Sequence, residues 1–191
     1  MKLRKLFAAC LVCGIALTLN AQTAVAPPPK PADSGPSLAV TMQFIQDKLN
    51  QQGKINFADY VHDNAAGKDW VTQNAYEIGE VVIHPESCII SYNVKTWVNG
   101  AAGVGGDGYI PFNDVQDVVI LPVEQAWKEI DSKAGNTTRS YKSDPPVFSL
   151  RVRWKVDYNE FHFTDEDTAN RVAKAMVHAV ELCGGGNKDP F

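Results

Sequence analysis

Most of the features by which a function is read from sequence are scarce or missing here. The 191 residues include only four cysteines and four histidines. His62, His84, His162 and His178 stand singly, without the spacing that sets two or more ligands on one face, so no metal site is expected. There is no Gly-x-Ser-x-Gly elbow and no phosphate-cradling Gly-Lys-Ser/Thr, so no catalytic residue is assigned and no cofactor is expected. Gly103, Gly105 and Gly108 do spell G-x-G-x-x-G in GVGGDG. A strand, YIPF, follows them rather than the helix whose N-terminus would hold a pyrophosphate, so the segment reads as a hairpin loop. No apolar run reaches the roughly 20 residues a bilayer-spanning helix needs. Positive charge is also short, with 18 Lys and Arg against 22 Asp and Glu, which argues against nucleic acid as a partner.

What is present begins with a leader. Lys2, Arg4 and Lys5 form a basic head before the uncharged apolar run Leu6 to Leu19, and small residues follow, the pattern of a secretory signal peptide. Ala21 and Ala26 both suit the last leader residue. Residues 1–21 are taken as the leader, because the bond after Ala26 precedes Pro27. Cys10 and Cys13 then leave with it, the alternative being lipidation of one of them. The exported chain would carry 15 basic and 22 acidic residues, a net charge of −7, in the periplasm or outside the cell. Residues 22–36, with AVAPPPKPADSGP, read as a proline-rich disordered linker. Residues 37–184 read as one globular domain and 185–191 as a flexible tail.

Within the domain, Leu38, Met42, Ile45 and Leu49 recur at helical spacing after Ser37, and Gly53 ends the helix. KINFADYVHD, WVTQNAYEIGEVVIH (broken in two near Gly79), CIISYNVKTWV, YIPFNDVQDVVIL and VFSLRVRWKV are expected strands, with VEQAWKEIDSKAG a helical interruption. Phe148, Leu150, Val152, Trp154 and Val156 alternate with Ser149, Arg151, Arg153 and Lys155, so the first set should face the core. DYNE is read as a four-residue turn that pairs Val156 with Phe161, Trp154 with Phe163 and Lys155 with His162. Thr164 is the expected cap of the last helix, whose Val172, Met176, Ala179 and Cys183 share one face.

Strands in succession without intervening helices predict an α+β fold. A curved antiparallel sheet or open barrel of about six or seven strands would carry an N-terminal helix and a closing C-terminal helix. The strand ending FHFTDED and the helix TANRVAKAMVHAVELC resemble the last strand and helix of pleckstrin-homology-like barrels. Signal, linker and domain together also resemble small uncharacterised exported proteins of soil bacteria. The barrel resemblance implies that basic sheet residues serve as an anion or partner patch, here Arg151, Arg153 and Lys155 with His162 opposite. The bland alternative is a wet face whose cations are offset by acids.

Cys88 and Cys183 are the only cysteines left after export. An oxidising compartment makes an intramolecular disulfide the expectation, beside a free buried thiol or an interchain bond. Taken together, the sequence points to an exported, non-catalytic binding or interaction module whose unknown partner is a protein or a small ligand. A carrier of a small apolar ligand within the sheet is the runner-up, and an enzyme of unknown reaction the third reading.

Overall fold

The computed structural model describes residues 35–155 and 157–186. The leader, all but the end of the linker, Val156 and the last five residues lie outside the described part. Helix α1 (Leu38–Gln52) starts where Ser37 accepts the Val40 N–H and stops at Gly53, whose φ of 63° suits a residue without Cβ. Met42, Ile45 and Leu49 are fully buried, as their spacing requires.

Strands β1 (Lys54–Asp63), β2 (Lys68–His84) and β3 (Ile89–Val98) form an antiparallel meander. β2 is one strand where the sequence suggests a break in two near Gly79; the glycine instead marks a register shift between Gly79 and Val82. A short β4 (Ala101–Ala102) and β5 (Gly106–Pro111) pair with the far edge of β3, and β7 (Arg139–Asp144) pairs with β1. Gly108 lies against the Tyr92 ring, where a Cβ would collide with it. This close approach is what GVGGDG provides.

A second sheet has the order β6 (Val115–Pro122), β8 (Phe148–Trp154), β9 (Asp157–Phe163). Helix α2 (Val123–Lys133) packs on β7, and α3 (Glu166–Leu182) packs on α1 and β6. Among the described residues the architecture is α+β, with three α-helices and nine strands in two antiparallel sheets that do not close into a barrel. Phe112, Phe161, Phe163, Met42, Ile45 and Leu49 fill the space between them, each almost wholly out of solvent.

Four further details differ from the sequence reading. YIPFNDVQDVVIL is not one strand: the turn after Pro111 hands the chain from the first sheet to the second. Strand β7, RSYKSD, was not expected. The β8–β9 hairpin turns at Lys155, which takes a positive φ of 50°, so DYNE is strand rather than turn. Phe161 therefore faces Leu150, Phe163 faces Phe148, Trp154 faces Asp157, and His162 faces Ser149 instead of Lys155. Helix α3 is capped by Asp165, one residue after Thr164, through a 2.9 Å bond from the Thr168 N–H.

Candidate functional site

The cations singled out on β8 each meet a carboxylate. Arg151 reaches Glu160 on β9 through Nη2 at 2.6 Å and Glu129 on α2 through Nη1 at 2.7 Å. Arg153 pairs with Asp117 on the neighbouring β6, and Lys155 with Asp114 at 3.0 Å. Arg151 is only 17% exposed, so the face it occupies is not wholly wet: α2 covers that end of the strand. His162 does not join this line. It stands opposite Ser149, six residues from Lys155 and two beyond Arg151, with its Nδ1 out of contact with solvent.

Cys88 and Cys183 are bonded, with Cα atoms 5.9 Å apart. Cys88 follows the one-turn 3-10 helix Pro85–Ser87, and Cys183 caps α3, so the bond pins the end of α3 to the start of β3. The three glycines after Cys183 are explained by what they touch. Gly184 has a φ of 73°, and Gly185 lies so close to the Phe112 carbonyl that a Cβ would overlap it. The Gly186 N–H then bonds to the Val115 carbonyl, seating the chain end on β6.

A polar junction links α2 to the edge of β7. Glu124 Oε1 accepts the Ser143 N–H at 2.7 Å and its Oγ–H at 2.5 Å. One strand inward, Asp59 stands opposite Ser143, with Oδ1 buried and unpartnered among the described residues. Burial, and secondarily the Glu124 charge, push the Asp59 carboxyl from 3.8 up to about 6. A carboxyl raised in the folded state adds stability that is complete below its unfolded value and lost as pH climbs through its folded value. Asp59→Asn should therefore stabilise the protein at pH 7.5 by about 1–3 kcal/mol and change little near pH 4. Paired denaturant curves at the two pH values measure this.

Alternation also sets the two faces of the larger sheet. Ile55, Phe57, Asp59 and Val61 of β1 point inward and are buried; Lys54, Asn56, Tyr60 and His62 point outward and are exposed. Register carries the outward face across the neighbours. Tyr60 stands between Val71 and Lys142, Ala58 between Gln73 and Asp144, and Asn56 beside Ala75, which faces Trp97 on β3. Tyr60 and Val71 are 43% and 47% exposed. The small Ala58 and Ala75 lie at the centre of this face. One end is an open cleft of about 320 Å³ lined by Lys54, Asn56, Gln73, Ala75 and Trp97 among others, with Lys54 Nζ 3.8 Å above the Trp97 ring. His62 closes the other end against Asp69, at 2.6 Å. Nothing in the sequence reading singled out this face, although the runs FADY and QNAY display its alternation.

No family model matches the chain, and neither does any curated protein or solved structure. Among the described residues no helix is long and apolar enough to cross a membrane, and no group of three or more His, Cys, Asp and Glu is placed to hold a metal ion.

Proposed function

We propose that this is an exported, non-catalytic binding module that recognises a protein partner through the outward face of its larger sheet. The observation that carries the reading is the exposed Tyr60–Val71 pair set among alanine, amide and charged side chains. An aromatic and an aliphatic side chain ringed by polar groups is the composition of a protein interface. Cations Lys54, Lys95 and Lys142 share the face with Glu77, Asp69 and Asp144, a mixture that suits a protein surface better than a polyanion. The Cys88–Cys183 bond supports export, because such bonds persist in oxidising compartments. Helix α3 closing on the second sheet supports an architecture akin to pleckstrin-homology-like barrels. The Arg151–Arg153–Lys155 line, neutralised by carboxylates from three elements, is assigned to holding β8 in place rather than to an anion. The filled centre favours a surface-bound partner over a carried apolar ligand.

The test is a double variant, Tyr60→Asp with Val71→Asp. Both side chains are exposed, so the fold should tolerate the change to within about 1 kcal/mol. Capture of the partner that the wild-type domain retains from its own envelope should fall at least tenfold, while Lys174→Asp on the exposed side of α3 leaves capture unchanged. Equal capture by all three proteins would refute the surface. The leader is tested separately, by finding Gln22 as the first residue of the exported protein.

A further inference from the structure

Ser149 and His162 stand directly opposite each other on β8 and β9, so their side chains share one face of the second sheet. At the His162 end that face meets rings of the larger sheet. The His162 ring meets Tyr76 edge-on at 4.8 Å between centroids and lies 6.4 Å from Phe57, which stacks on Trp127 of α2 at 6.2 Å. Two residues along the same strand face, Arg151 is held in ion pairs by Glu160 of β9 and Glu129 of α2. On the other side the Gln52 side-chain amide at the end of α1 donates to the His162 carbonyl.

Three polar atoms around this pair are buried without a hydrogen-bond partner among the described residues: Ser149 Oγ, His162 Nδ1 and Gln52 Oε1. Ser149 is wholly buried. An unpaired buried polar atom costs free energy comparable to a lost hydrogen bond, and folded proteins leave few of them. Three at neighbouring residues call for a common partner.

We propose that Ser149, His162 and Gln52 bind a structural water between the two sheets. Water matches the three groups by donor and acceptor type. It accepts from the Ser149 hydroxyl and donates to the Gln52 carbonyl oxygen and to an unprotonated His162 Nδ1, giving the three bonds usual for a buried water. His162 then carries its proton on Nε2. Burial lowers the His162 pKa, opposed by Glu160, so the ring stays neutral and the acceptor role of Nδ1 is available at neutral pH. Among the described residues, the groups around the ring are Tyr76 and Phe57 from the larger sheet, Glu160 from the second sheet, itself paired with Arg151, and Gln52 from α1. None is a free cation able to repel the proton from Nε2. No carboxylate or thiolate joins the three atoms, so the site suits a neutral hydrogen-bonding molecule rather than a metal ion.

The experiment is a crystal structure of the oxidised domain at about 1.5 Å resolution, with the wild type and Ser149→Ala compared in thermal melting. The expected result is an ordered water within hydrogen-bonding distance of Ser149 Oγ and His162 Nδ1, and a melting temperature lowered by a few degrees in Ser149→Ala. If crystals fail, long-range ¹⁵N correlations should show His162 protonated on Nε2, with exchange cross-peaks from its ring to a long-lived water. A direct Ser149–His162 hydrogen bond without water overturns the proposal. So does a raised melting temperature in Ser149→Ala, the outcome expected when an unsatisfied hydroxyl is simply removed.

Discussion

Replacing Cys88 and Cys183 by Ser, or reducing the bond between them, should lower the melting temperature by roughly 10–15 °C. The two residues are 95 positions apart in sequence. Tying a loop of that length restricts the unfolded chain and stabilises the fold by about 4–5 kcal/mol in the chain-entropy description. For a domain of this size each kcal/mol moves the transition by about 2–4 °C. The loss should not be uniform. Cys183 ends α3, and beyond it the Gly185 and Gly186 N–H groups bond to the Val180 and Val115 carbonyls. Without the tether, amide exchange should quicken first from Val180 to Gly186, while α1 and the β1–β2 pair stay protected. Scanning calorimetry with and without reductant measures the shift, and peptide mapping establishes the linkage. Two free-thiol peptides from the exported protein would contradict the account.

The second large effect lies at the contact between the sheets. Phe161 is fully buried, and its ring sits 5.1 Å from that of Tyr92 at 73°, joining β9 to β3. Phe161→Ala should cost about 3–5 kcal/mol, the range for a truncated core aromatic. Trp154 belongs to the same alternating set by sequence and would be expected to cost as much. The structure places it in the last pair before the hairpin turn, opposite Asp157, and leaves it partly exposed. Trp154→Ala should therefore cost about 1–2 kcal/mol. Urea curves of the two variants decide the matter, and a greater loss from Trp154→Ala would show the packing of β8 to be misassigned.

The hairpin shows why some of the fold was legible and some was not. Both the expected pairing of Val156 with Phe161 and the observed pairing of Leu150 with Phe161 put every apolar side chain on the same face. They differ by an even number of residues, and face matching detects only odd slips. What selects the true register is the Arg151–Glu160 pair and a residue at positive φ, Lys155, neither of which periodicity records. Strand β7 was hidden for a related reason. RSYKSD has no apolar alternation because Arg139, Tyr141 and Ser143 point inward to Asp131, Asp63 and Glu124, polar partners supplied by other elements. By contrast α1, β1 and α2 follow from apolar spacing, glycine and turn residues, and emerge where the sequence places them. Cys88 and Cys183 were found by counting. The outward face went unnoticed because Tyr60, Val71, Ala58 and Ala75 become neighbours only once β1 and β2 are in register.

The central claim is that this outward face meets a protein. Site-specific photo-crosslinking tests it most directly, with a crosslinking residue introduced at Val71 in one protein and at Lys174 in another, each expressed with its own leader in its native host. The account predicts one discrete crosslinked protein species from Val71, abolished by Tyr60→Asp, and none from Lys174. A crosslink from Lys174 with none from Val71 would contradict it.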